Sequence, residues 1–466
     1  MMRKENILFI ALTLCAALTM GSCSEDTTGD YQPSDRGLAV TFDTYIGTRA
    51  GATGALNDIT ALRESGFGVF SFYTQNNTWE DNQSTLAPNF MYNQQVSWTD
   101  TDNDGLDDSW TYSPLKYWPN DNNPADDGTA AGSQPHSYLS FFAYAPYTAA
   151  EPSSGTVLGE DGSVLSSSAA VTEKGIVSLT SNTTQSAPKI TYRWSADLDN
   201  QVDLLYAQPQ TNLYKTKDTH EGYTNGNVLF TFKHALTCIN FTVQRVYDDE
   251  NNPNSLVGGS SAAASDTRIF VSSLQLTPTA AMPTSGTFNL ATATWESTAN
   301  TGGDATISIS ADNINNDISG TLSDDADDIK TKELNKYATG LLGVTETAVP
   351  LLNSNRTVMV MPGDNASFDI DITYSFITKD NELALSNLTD YQGNKYGRIV
   401  NRVSKPAVEI GDLQPGKKYD VLIKIGVEEV TFEVIGVEDW YFPMRFTPST
   451  SDYSDGGESE LIGNEQ

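Results

Sequence analysis

Apolar side chains fall at every second position in one short run after another along this chain of 466 residues. A period of two is the pattern of half-buried antiparallel strands. Leu38, Val40, Phe42 and Ile46 share one face of the first run, and Phe67-Gly68-Val69-Phe70-Ser71-Phe72 forms the next. Ser140 to Tyr144 and Val202 to Tyr206 follow. Val228, Phe230, Phe232 and His234 then alternate, and that strand reads on through Ile239, Phe241 and Val243. The polar break from Asp248 to Asn254 reads as an interdomain linker. Beyond it the pattern resumes at Ile269 to Leu276, Val358 to Met361, Phe368 to Tyr374, Tyr419 to Ile425, and Val430/Phe432/Val434. The best helix candidate is a short segment near Ala55 to Glu64, and the polar stretch Ala299 to Asp328 reads as a large surface loop. Many short strands joined by long polar loops predict an all-β fold of β-sandwich domains.

The first residues set the compartment. Arg3 and Lys4 precede an apolar run from Ile7 to Met20, too short to cross ~30 Å of hydrocarbon as a helix and of the length of a signal h-region. It ends in Met20-Gly21-Ser22-Cys23, which resembles a lipobox, and Cys23 is therefore the expected site of lipidation, palmitate included. Several acyl chains, at ~0.8 kcal/mol per buried CH₂, hold a folded domain on a membrane. Ser24-Glu25-Asp26 resembles the surface-export signal of Bacteroidetes lipoproteins, so the expected location is the exposed face of the outer membrane.

Of the three cysteines, Cys15 leaves with the signal and Cys23 carries lipid. Cys238 remains alone, so no internal disulfide holds the fold, and its apolar setting from Leu236 to Val243 reads as a small core residue. The formal net charge is −33; Arg3, Lys4 and Glu5 sum to +1, so the chain from Cys23 onward carries −34. Such a surface repels phosphate backbones, which argues against nucleic acid as a partner. The three histidines, His136, His220 and His234, have no ligand spacing, and His234 reads as a satisfied core residue. No nucleophile elbow, P-loop or dinucleotide fingerprint is present, so no catalytic residue is nominated and the chain is not expected to be an enzyme.

Several segments then appear in a characteristic order: Thr48-Arg49-Ala50, Tyr117-Trp118-Pro119, Leu139 to Pro146, Asp203 to Ala207, Phe230 to Leu236, Val358 to Pro362, Leu413 to Tyr419, and the close at Phe432 to Trp440. This succession resembles the Bacteroidetes fimbrillins, lipoprotein-derived subunits of donor-strand (type V) pili. The resemblance implies two tandem transthyretin-like β-sandwich domains, over 50–248 and 249–440. A signal peptide (1–22) and a propeptide with a removable strand (23–49) would precede them, and a tail (441–466) would follow. It implies that the lipidated precursor arrives as a folded monomer and is cut after Arg49, before Ala50, so that the strand carrying Leu38, Val40, Phe42 and Ile46 is lost. A strand from another subunit, self or related, would fill the groove by β-augmentation. Each pocket filled would contribute roughly 1.5–3 kcal/mol before entropy costs. A head-to-tail contact of this kind grows a filament rather than closing a ring. The donor is expected from the closing segment, with Val430, Phe432, Val434 and Trp440 as candidates. Tyr441 to Thr447 still alternates, but Pro443 and Pro448 interrupt it, and Ser449 to Gln466 is acidic and polar.

The sharpest local chemistry is Asp100-Thr101-Asp102-Asn103-Asp104-Gly105-Leu106-Asp107-Asp108. Carboxylates of Asp100, Asp102, Asp104 and Asp108 with the Leu106 carbonyl suit a hard cation, so structural calcium is the one candidate cofactor; the alternative is a solvated acidic turn. It would cap a β-hairpin between Val96-Ser97-Trp98 and Trp110-Thr111-Tyr112. Two functions emerge. One is a stalk, tip or anchor subunit of a cell-surface fimbria supporting adhesion. The other is a monomeric surface lipoprotein that binds glycan or host protein.

Overall fold

The computed structural model describes residues 38–45, 59–100, 109–119, 137–148, 157–158, 164–165, 174–214, 226–246, 266–299, 305–338, 343–354, 356–426 and 429–440. All belong to one compact unit that begins at Leu38. The signal segment, Cys23, Ile46, Arg49, Ala50, Asp102, Asp104, Leu106 and Asp108 lie outside the described residues.

The fold is all-β, as the alternation predicts. Numbered in chain order, the strands among the described residues form four main sheets and one short hairpin. The first sheet runs in the order β1 (Thr41–Tyr45), β12 (Asn227–His234), β10 (Leu205–Ala207), β5 (Tyr138–Ala145), β2 (Phe67–Gln75), β3 (Met91–Thr99) and β4 (Ser109–Thr111), with β11 (Gln210–Leu213) also on β5. The second runs β18 (Val349–Pro350), β13 (Thr237–Arg245), β22 (Lys417–Ile425) and β23 (Val430–Asp439), with β19 (Val358–Val360) on β13. The third is β17 (Ile307–Ser310), β14 (Thr267–Pro278), β20 (Gly363–Lys379) and β21 (Tyr396–Leu413). The fourth is β16 (Thr294–Ala299), β15 (Ser285–Asn289), β9 (Lys189–Arg193) and β8 (Gly175–Leu179); β6 (Val157–Leu158) and β7 (Val164–Leu165) form the hairpin.

At the centre of the first sheet β2 and β5 are buried on both faces, which is why they read as continuous apolar runs. Phe67, Val69, Phe141 and Ala143 enter an aromatic core on one side with Val228, Phe230 and Phe232. Phe70, Phe72, Phe142 and Tyr144 enter a larger core on the other, shared with Ile239, Phe241, Val271, Ile372, Val421 and Ile423 from the second and third sheets. Helix α1 (Ile59–Ser65) falls within reach of the short helix expected near Ala55 to Glu64 and buries Leu62.

Two expectations differ from the structure. The run from Val228 to Val243 is two strands in two sheets: inward residues are even-numbered in β12 and odd-numbered from Ile239 in β13, so the chain turns a corner at buried Ala235-Leu236. Strand pairing consequently crosses the polar linker at 248–254. Strand β13 lies parallel to β22 from Cys238↔Lys418 to Arg245↔Ile425, and β9 pairs with β15 from Lys189↔Asn289 to Arg193↔Ser285. The second difference is the supposed loop Ala299 to Asp328. Isoleucines at 307, 309, 314 and 318 are each at most 1% exposed there, and Ile307 to Ser310 is a strand. Isolated β-branched residues in a polar run were the signal, and they pack while their polar neighbours face solvent.

Candidate functional site: the edge strand Thr41–Tyr45 and its trough

Strand β1 closes one end of the first sheet and lies parallel to β12, with Thr41 opposite Asn227, Phe42 opposite Val228 and Tyr45 opposite Thr231. Its inward side chains are those the alternation picks out. Val40 is fully buried and Phe42 is 5% exposed, while Leu38 is half-buried. Phe42 sits in a trough of rings: Phe230 stacks on it at 5.5 Å between centroids, Tyr112 is tilted at 5.3 Å, and Phe141 and Phe67 meet it edge-on at 5.9 and 6.3 Å. Such pairs add to area burial through the quadrupoles of the rings.

The sheet curls until its two end strands approach. Trp110 on β4 donates its indole N–H to Thr44 Oγ1 at 2.9 Å, and the Tyr112 hydroxyl donates to the Val40 carbonyl at 2.8 Å. Burial raises the Tyr112 pKa, which keeps that hydroxyl a donor. Just before β1, residues 38–40 also pair antiparallel with the segment after β4. Ala39 bridges Tyr117, Val40 N–H donates to Lys116 O at 3.0 Å, and Trp118 N–H donates to Leu38 O at 2.9 Å. One glycine makes the approach of β1 to β12 feasible. The Gly226 carbonyl accepts from Thr41 N–H at 3.2 Å and from Trp118 Nε1 at 2.9 Å. Its φ is +91°, and a Cβ there would lie 2.6 Å from Leu38 Cδ2.

The donor candidates sit at the other end of the chain. Val430, Phe432 and Val434 lie in β23, an edge strand paired antiparallel with this chain's own β22, Ile425 opposite Val430 and Lys417 opposite Asp439. Val430 is buried, Phe432 and Val434 are half-buried against the larger core, and Trp440 is buried. The Trp440 ring stacks on His234 at 3.7 Å with planes 9° apart, and His234 Nδ1 lies 2.8 Å from Asp203 Oδ2. Within the stretch Leu413 to Tyr419 that reads as a turn, the chain turns at Gln414 to Gly416, with Gly416 at φ +68°, between β21 and β22. Strands β3 and β4 pair antiparallel on either side of the acidic loop, Ser97 opposite Thr111 and Thr99 opposite Ser109, and exposed Asp100 follows β3. Cys238 is 3% exposed with Thr357 Oγ1 at 3.1 Å, and desolvation pushes its thiol up to about 12. Sequence reasoning placed Val40 and Phe42 but missed Trp110, Tyr112 and Gly226, which hold Thr44, Val40 and Thr41. The position of Gly226, just before the alternating run that opens at Val228, was the available cue.

Fold and site define a strand-built protein whose first described strand ends a sheet and is held both by backbone pairing and by side chains in an aromatic trough. A fimbrillin-like family profile matches residues 48–440. The chain belongs to that family. It is 26% identical, over 92% of its own length and 95% of the relative's, to fimbrium subunit Fim1C of Phocaeicola vulgatus. Its fold is similar to the crystal structure of a fimbrial protein from Bacteroides vulgatus, with a TM-score of 0.55 at 20% identity, covering 86% of this chain and 99% of that one.

Proposed function

We propose that this protein is a structural subunit (stalk, tip or anchor) of a cell-surface fimbria that supports adhesion and assembles by replacement of β1. The observation that carries the reading is the way β1 is held. It is a short terminal strand of the first sheet, it lies in parallel register with β12, and beyond that backbone pairing it and the residue before it are seated by Phe42 and Val40 in the aromatic trough. Burial of those two side chains is worth roughly 1.5–3 kcal/mol each. Arg49 follows Tyr45 by four residues in the sequence. A cut between Arg49 and Ala50 makes β1 a separate peptide, held by non-covalent contacts alone. Its departure exposes the edge of β12 and the rings of Phe67, Phe141 and Phe230 to a strand from a neighbouring subunit.

Lipid on Cys23 holds the precursor at the outer membrane until the cut, after which polymer growth needs no further anchor on that subunit. The donated strand comes from the C-terminal end. Donation of β23 itself requires its release from β22; donation from residues beyond Trp440 does not. The test is the N-terminus of protein sheared from cells. An assembled subunit begins at Ala50. Protein that begins only at lipidated Cys23 overturns strand replacement and favours a monomeric surface lipoprotein that binds glycan or host protein.

A further inference from the structure

The strand that receives β1 also holds the base of the C-terminal segment. Strand β12 pairs with β1 through Asn227 to Thr231, and its last residue, His234, carries the Trp440 ring. Trp440 is tied down by its ring and by its backbone. Its ring lies flat on His234, whose Nδ1 is 2.8 Å from Asp203 Oδ2. Its backbone N–H donates to the Gly416 carbonyl at 2.6 Å. Gly416, in the turn between β21 and β22, donates in turn to the carbonyl of Leu236 at 2.8 Å, at the corner between β12 and β13. Asp203, His234 and Trp440 are each at most 6% exposed, so this is a packed joint and not a surface contact.

Resting on the assembly reading above, we propose that Trp440 is a positioning residue. It anchors the C-terminal segment to the end of β12, so that one strand carries a subunit's acceptor edge near Asn227 and its donor base at His234. The two seats stand about 23 Å apart along that strand, at ~3.3 Å per residue. The segment that reaches a neighbour therefore starts at the body rather than at the free end of β23, and β23 stays on β22. Tension between neighbours passes along β12, and the sandwich of the second and third sheets hangs beside that path instead of within it. The flat His–Trp stack needs a planar ring at 440. The Trp440 N–H is equally available in any variant except proline.

Hydrogen exchange on the folded, unpolymerised full chain decides this. Trp440→Ala is expected to accelerate exchange at least about tenfold in 414–417, 430–440 and the 232–236 end of β12, because local opening follows lost packing. Exchange in β2 should stay as in the wild type. Trp440→Phe, which keeps a stacking ring, should restore most of the protection and guards against a misfolded alanine variant. Acceleration confined to 430–440, with 232–236 unmoved, overturns the link to β12; no acceleration at all overturns the anchor. SDS-resistant ladders of protein trimmed at Arg49, run in parallel, report on the assembly reading alone. If wild-type ladders never form while exchange responds as described, that reading fails and the anchor stands.

Discussion

Phe42→Ala separates a detachable strand from an ordinary core strand. The ring touches Phe67, Tyr112, Phe141 and Phe230 and is 5% exposed. Truncating a buried phenylalanine to alanine costs about 3–5 kcal/mol. If β1 opens on its own, that loss appears as local opening of Thr41 to Tyr45, a rise of roughly a hundredfold to a few thousandfold in exchange at about 1.4 kcal/mol per factor of ten. The rest of the first sheet keeps its own hydrogen bonds, for instance Gly68 to Phe72 against Ser140 to Tyr144. The assay is amide exchange read by mass spectrometry, with β1 and β2 peptides resolved. Thr41→Ala, on the exposed face of the same strand, is the control and should stay within about 0.5 kcal/mol of wild type. Equal loss of protection in β1 and β2, with a matching fall in the global denaturation midpoint, would show that β1 unfolds only with the whole domain. The reasoning would then be wrong.

Gly226→Ala forces a side chain into a left-handed backbone at φ +91° and against Leu38, so a loss of about 1–3 kcal/mol is expected, read as a lowered melting temperature and weaker β1 protection. The Cys238 thiol should resist alkylation in the native protein at pH 8 and react on denaturation; rapid native labelling would contradict its burial. Because burial raises that thiol from 9.0 to about 12, the unfolded chain ionises first as the pH rises. Its contribution to stability is therefore constant below about pH 9 and lost between there and about 12, and Cys238→Ala should flatten that part of the wild-type stability profile. If the Asp100 to Asp108 loop holds calcium, chelator should lower the melting temperature and added calcium restore it; an unchanged value retires the site.

What the sequence revealed and concealed follows from the range of the forces involved. Period-two alternation is local, so Val40, Phe42, Phe230 and Ile372 were readable as buried positions, and all four are. The Pro415-Gly416 turn was readable because its chemistry lies within two residues. The partners of β1 were not. Trp110 and Tyr112 reach Thr44 and Val40 only because the sheet curls, and no local pattern encodes curl. The corner at Ala235-Leu236 escaped because two small or apolar residues between alternating runs look like continued strand. Pairing β13 with β22 joins positions about 180 residues apart, a register set by shared burial of Ile239, Phe241, Val421 and Ile423. His234 read as a core residue, and it is one, yet its Asp203 partner and the Trp440 ring come from distant segments.

Competition at the groove tests the central idea most directly. Protein cut after Arg49 should shed the segment containing β1 and build SDS-resistant ladders, and an excess of synthetic peptide covering residues 38–49 should suppress them. The same peptide with Phe42→Asp should not, since its charge cannot enter the aromatic trough. Complete cutting without ladders, or ladders indifferent to the wild-type peptide, would contradict the account.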